Sequence, residues 1–207
     1  IYSLYRPDQR WSFSGLLGYS NFSLNGNRSI TGLSPALAGS TSANGVTAAL
    51  EASYLLPLSD PKAATQVLAK PLLGLAWGSY HQSGFTESGG GFSQSISGRT
   101  ANSLLGTLGI ELTTSPLPLN ASRTVTITPR MAVAYQVDAL ANNGQNKSLD
   151  STFVGAPAAG GLNTEGQNLG VNNVNLAGGV SVQVAKNLDF YASVSYLVLS
   201  NANQLSY

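Results

Sequence analysis

The chain has no cysteine and a single histidine in 207 residues. Without thiols there is no disulfide scaffold, no cysteine nucleophile and no thiolate metal site. Charge is equally scarce. Asp, Glu, Lys and Arg make up 9% of the residues, against about 25% in an ordinary soluble domain. Net charge is +1 and the basic residues stand singly, so there is no electrostatic footprint for nucleic acid. No run of about 18 apolar residues occurs, which excludes a membrane-spanning helix. The opening "IYSLYRPDQR" has neither the basic nor the apolar region of a secretory leader. Charge-driven disorder is excluded as well, because apolar residues alternate strongly along most of the chain.

That alternation has a period of two, the signature of strands with one apolar face. Trp11, Phe13, Gly15, Leu17 and Tyr19 share a face opposite Ser12, Ser14 and Ser20. Val46, Ala48, Leu50, Ala52 and Tyr54 oppose Glu51 and Ser53. Val67, Ala69, Pro71, Leu73, Leu75 and Trp77 oppose Lys70. Leu104, Gly106, Leu108, Ile110 and Leu112 oppose Thr107 and Glu111. Ile127, Pro129, Met131, Val133 and Tyr135 oppose Thr128 and Arg130. Val174, Leu176, Gly178, Val180, Val182 and Val184 oppose Asn175, Ser181 and Gln183. Leu188, Phe190, Ala192, Val194, Tyr196 and Val198 oppose Asp189, Ser193 and Ser195. These seven long strands run about 11–15 residues, beyond the usual five or six of a globular strand and enough to cross a bilayer at a tilt. "IYSLY" reads as the tail of an earlier strand. Pro71 and Pro129 each remove a ladder donor, which marks a strand end, a bulge or a rim position.

Connections alternate in length. "RPDQ", "SDPKAAT", "TSPLPLNAS" and the "KN" of Lys186 and Asn187 are short turns. Between them lie long Gly/Asn/Ser-rich loops, roughly 23–45, 82–99 and 138–172. A barrel across an outer membrane sorts its loops in this way, with short turns in the periplasm and long loops outside.

The charges decide which way the apolar rows look. Glu51, Lys70, Glu111 and Arg130 all fall on the polar faces. A lipid-facing row excludes charge because an Arg or Lys at mid-bilayer costs about 2–4 kcal/mol. A soluble core excludes it too, but a soluble sandwich coats its wet side in Lys and Glu. Here that side carries Ser, Thr, Asn and small residues, as a hydrated lumen does. The expected lipid-facing set is Leu73, Leu75, Leu108, Ile110, Ile127, Val133, Val180, Val182, Phe190 and Val194. Trp11, Tyr19, Tyr54, Trp77, Tyr135 and Tyr196, with Tyr80 in addition, are expected near strand ends or on outward faces as an aromatic girdle. In lipid every backbone polar group must be paired internally, so such a sheet must close. The fold class is therefore an all-β, antiparallel, up-and-down transmembrane β-barrel of the outer-membrane type.

The stretch "KPLLGLAWGSYHQSGFTESGGGFSQSISGRTANSLLGTLGIEL" resembles the C-terminal translocator barrel of classical autotransporters, the type V secretion family. "ITPRMAVAYQV" is similar to that family's next strand and "STFVGAP" to its Phe-x-x-Gly-x-Pro loop element. "LAGGVSVQVAKNLDFYASVSY" resembles its penultimate hairpin, and the likeness covers about residues 43–200. The resemblance implies a twelve-stranded barrel, a pore helix, an exported passenger domain and insertion by the barrel-assembly machinery. Outer-membrane lipid and lipopolysaccharide are the implied surroundings, and the bacterial outer membrane the location. Seven strands are too few for that barrel, and "SNANQLSY" is not the family's terminal aromatic strand. Residues 1–207 are accordingly expected to form one barrel domain lacking its first strands and its last one.

Chemistry is thinly represented. His81 lies between Ser79 and Ser83, but a triad needs an orienting acid and nothing in the sequence fixes one. A solvated rim histidine is the expectation, with no catalytic residue, no metal and no cofactor. Glu51, Lys70, Glu111 and Arg130 are expected to pair in the lumen and order the pore. The self-cleavage known in some autotransporter barrels uses a junction this stretch does not contain. "ESGGGF" at 87–92 lacks the strand-to-helix context and Lys of a phosphate loop and reads as a flexible outer loop. Two other functions remain open at this point, a porin or adhesin barrel and a soluble all-β binding module. Solubility of the folded chain without detergent discriminates the last of these.

Overall fold

A computed structural model describes the chain except residues 30–35, 61, 64, 123, 142–147, 166–170, 200–202 and 207, and gives the backbone alone at 203–206. Fifteen strands form among the described residues. They are β1 (Tyr2–Tyr5), β2 (Trp11–Arg28), β3 (Leu37–Tyr54), β4 (Leu56–Pro57), β5 (Val67–Gln82), β6 (Phe85–Thr86), β7 (Gln94–Ile96) and β8 (Arg99–Thr114). There follow β9 (Leu117–Pro118), β10 (Thr126–Asp138), β11 (Ser148–Phe153), β12 (Gly161–Glu165), β13 (Asn172–Ala185), β14 (Leu188–Leu199) and β15 (Asn203–Ser206). Eleven of them make one antiparallel sheet in the order β1-β2-β3-β5-β8-β10-β13-β14-β15, with β4 beside β5 and β9 beside β10. Neighbours in sequence are neighbours in space, and the sheet curls into a half-barrel. The seven long strands are those the alternation predicts.

The apolar side is the more exposed one. Leu73 and Leu108 are each 63% exposed, whereas Gly74, Thr107 and Glu111 beside them are half-buried. On a curled sheet the convex side splays its side chains apart and the concave side crowds them, so the apolar rows lie on the convex face. No dry centre forms between two layers, and Leu37 and Ala69 are the buried apolar residues among those described.

Both prolines sit where a neighbouring strand is interrupted. β3 pairs with β5 up to Ser53↔Leu72, and pairing resumes on that side at Leu56↔Ala69, so the gap falls opposite Pro71. β8 pairs with β10 from Thr113↔Arg130, and β9 resumes at Leu117↔Ile127, so Thr128 and Pro129 face a second gap. A missing N–H costs least where no partner carbonyl waits for it. Near the tight turn at 186–187 the register shifts between Gln183 and Ala185, leaving Val184 as the extra residue of a bulge. Strict alternation therefore ends one residue earlier than the sequence pattern suggests. At the first turn the Asp8 carboxylate accepts the Arg10 and Trp11 N–H groups at 2.8 and 2.7 Å.

The loop expectations need correction. Residues 23–45 are mostly strand, because β2 and β3 pair without interruption from Trp11↔Tyr54 to Arg28↔Leu37. Asn, Ser and Gly lower strand propensity, but a long ladder anchored on an apolar band carries them on into water. The segments 82–99 and 138–172 contain a second sheet of their own, in the order β12-β11-β7-β6.

Candidate functional site

Register fixes the two faces of the wall. One convex row runs Phe13, Ala52, Leu73, Leu108, Tyr135, Val174, Val198 across seven strands. A parallel row carries Ile110, Val133, Leu176 and Tyr196. Leu75 continues Leu50 and meets Gly106, while Ile127, Val182 and Phe190 align, as do Val180 and Ala192. Val194 stands opposite Gly178. All ten residues expected to face lipid thus share the convex face.

Glu51, Lys70, Glu111 and Arg130 share the concave face. Glu51 lies between Ser14 and Gly74, Lys70 faces Glu111 directly, and Arg130 lies between Thr113 and Gly179. Arg28, Asp138 and Asp189 join them by the same parity. Arg99, paired with Gln82 at the start of β8, is on that side too, so every Asp, Glu, Lys and Arg of the wall strands is concave.

The expected lumenal ion-pair network is not what forms. Among the described residues the ion pair is Arg28–Glu87, at the loop end of the wall. Arg130 instead lies over the Tyr191 ring, 4.2 Å from its centroid. It crosses β13 because residue 179 is glycine. A Cβ there would sit 3.3 Å from the Arg130 Nε and 2.9 Å from the Ala192 carbonyl oxygen. A cation–π contact of this kind contributes about 0.5–2 kcal/mol.

The aromatics divide between the two ends. Trp11 and Tyr54 pair at the turn end, with ring centroids 4.8 Å apart. Trp11 also stacks on Phe13 at 5.6 Å. Trp77, Tyr135 and Tyr196 lie on the loop-end halves of their strands and Tyr19 at the middle of β2, and the Tyr135 hydroxyl donates to Asn172 Oδ1 at 2.8 Å. Tyr80 lies near the loop end of β5, one of the two expected placements, but faces inward. It is on the concave face, its ring laid over Gly45, where a Cβ would come within 2.5 Å of the ring carbons. His81 Nδ1 is 3.0 Å from Thr100 Oγ1. The described residues contain no group of three His, Cys, Asp or Glu able to hold a metal.

The outer loops are more ordered than their composition suggests. "ESGGGF" is a tied turn rather than a flexible loop. Gly89 and Gly90 take positive φ, and Ser93 Oγ donates to the Gly90 carbonyl at 2.5 Å. Glu87, with its side chain 10% exposed, is the centre of the arrangement. It accepts from Arg28 Nε at 3.1 Å and from the Gln94 N–H at 3.0 Å. Arg28's hydrogen bonds hold the Glu87 carboxyl below the ordinary carboxylate range; burial opposes them and the Gln94 N–H adds to them. Ala38 and Ser88 exchange backbone hydrogen bonds, and the Phe85 ring covers Gly39 on the concave side. Phe92 meets Phe153 edge-on at 6.5 Å, so two of the loop motifs join in one cap. Sequence reasoning missed Arg28, Glu87, Tyr191 and Asp138, whose carboxylate takes Ser103 Oγ at 2.7 Å and the Leu104 N–H at 3.0 Å. The one hint was that Glu87 stands alone as an acid in its loop.

The sequence pattern of the Autotransporter beta-domain family matches residues 1–195. The chain belongs to that family. No curated protein matches it. An autotransporter β-domain is an outer-membrane translocator that carries its own passenger, and the half-barrel described above is the wall of such a domain.

Proposed function

We propose that the convex apolar rows of this autotransporter wall lie against hydrocarbon and that the concave face lines a water-filled passage for the passenger. The cap of β6, β7, β11 and β12 then faces the cell exterior. Trp11 and Tyr54 mark one interface; Tyr19, Trp77, Tyr135 and Tyr196 mark the other. The wall carries out no bond chemistry, since a closed sheet and a wet lumen suffice for transport. Its neighbours are outer-membrane lipid and lipopolysaccharide, and the barrel-assembly machinery inserts it.

The segregation of charge carries this reading. Arg28, Glu51, Lys70, Glu111, Arg130, Asp138 and Asp189 come from six strands and all reach the same side. A soluble two-layer protein turns its apolar side toward a second layer, whereas here that side is the exposed one. Spin labels on the full-length protein in bilayers test it. A label at Val194 should be accessible to oxygen and one at Ser195 to a water-soluble nickel chelate. The same accessibility pattern at both sites would overturn the assignment.

A further inference from the structure

The two sides of the sheet exchange character at the outer rim. Up to Tyr19 the outward residues of β2 are apolar. Beyond it they are Asn21, Ser23, Asn25 and Asn27, opposite Asn44, Ser42, Ser40 and Ala38 of β3. The inward residues change the other way. Ser12, Ser14, Gly18 and Ser20, with Leu16 among them, give way to Phe22 and Leu24. The cap continues the reversal. The Phe85 ring lies on the inward side of Gly39, and register carries that side to Ile96, Ser151 and Leu162. Leu149 and Phe153 share it by the two-residue period of β11. The outward side of the cap holds Thr86, Ser95, Thr152, Asp150 and Asn163. Arg28 and Glu87, both on the inward side, neutralise each other. Phe22, Leu24 and Leu162 nevertheless stay exposed.

We infer that this inward collar is a docking surface for the protein's own passenger, taking an apolar face of the polypeptide stretch that leaves the passage. The inference rests on the reading of the concave face as that passage. An exposed apolar patch rimmed by polar residues marks an interaction site, and three observations say what kind. Hydrocarbon does not reach the collar, because the outward side at this level is polar and β2 continues about 30 Å past Tyr19 at 3.3 Å per residue. A small solute is too short for it. From β2 through β3, β6, β7 and β11 to β12 the collar crosses five strand steps, about 24 Å at 4.8 Å each. A second copy of the wall offers only its polar outer side at this height. The exported chain, in contrast, runs along this same concave face before it reaches the collar. An apolar contact there holds the emerging stretch out of water while the rest of the passenger folds.

The test uses cells making the full-length protein with a photoreactive benzophenone amino acid at one position, followed by mass mapping of the cross-linked peptides. A probe at Phe22 or Leu162 should capture one stretch of the passenger, and a probe at Ser23 or Asn163 should capture none. A probe at Thr107, on the concave face of the wall, reports the passage by itself. Passenger captured at Thr107 and not at Phe22 or Leu162 would overturn the collar alone. No capture at any of these positions would overturn the passage reading and the collar with it. Capture of a second copy, or equal capture at Phe22 and Ser23, would also sink the inference. A second measurement avoids the probe's own apolar character. In Phe22→Ser/Leu24→Ser the captured stretch should become open to external protease while heat-modifiable migration persists, and unchanged protection would count against the collar.

Discussion

The wall and the cap are both antiparallel sheets, yet they are held by different means. In the wall, strands of 12–18 residues pair along continuous registers, and each rung repeats the same division of apolar and polar sides. In the cap, strands of two to six residues are placed by a few singular contacts, above all Arg28–Glu87, Phe92–Phe153 and the Ala38–Ser88 bridge. A repeated pattern tolerates the loss of one member, whereas a hub does not. The wall should therefore respond to where a residue points, and the cap to which residue it is.

The largest effect should come from charge on the wrong side of the wall. Leu108→Arg is expected to cost about 2–4 kcal/mol at mid-bilayer and to abolish heat-modifiable migration of the full-length protein. Thr107→Arg, one residue away on the concave face, should fold like the wild type. If the two behave alike, the wall is not sided as described. Next, Gly45→Val forces the Tyr80 ring off the concave face and should cost about 1–3 kcal/mol by overpacking. Urea titration of the folded gel band reads it, and adding Tyr80→Ala should recover part of the loss.

Within the cap, Glu87→Gln should loosen residues 85–96 without unfolding the wall. About 1–2 kcal/mol is expected from losing a hydrogen-bonded charge whose partner is partly solvated. Amide exchange in that hairpin should speed up while β8 and β10 stay protected. The sign of its pH dependence follows from the lowered carboxyl pKa. The latch is at full strength above the unfolded glutamate value of about 4.3 and weakens as pH falls through the lower folded value. Relative to the intrinsic exchange rate at each pH, protection of the hairpin should fall in acid in the wild type and stay unchanged in Glu87→Gln. The smallest effect belongs to Phe153→Ala, which removes an edge-on ring contact worth about 0.5–1.5 kcal/mol. Proteolysis in 148–165 should rise, and the gel shift should persist.

How legible these features were depended on range. Leu108 and Glu111 reveal their sides through neighbours two residues away, so seven strands, their faces and their turns could be read directly. The ends of β2 and β3 could not. "SNFSLNGNR" looks like loop until a partner strand extends the ladder over it. The glycines of "ESGGGF" suggest freedom by composition, and only Glu87 and Ser93, bonded to distant or turn-forming groups, remove it.

The sequence by itself determined a two-sided strand, repeated often enough that a curled antiparallel wall was the available fold, because side-chain direction in a strand depends on nothing beyond the two-residue period. Tertiary structure alone decided that Arg28 meets Glu87 across 59 positions, that Arg130 leaves its expected acidic partners for Tyr191, and that two glycine-rich loops share one sheet. Those outcomes depend on strand register and on single glycine windows, and neither has a local signature.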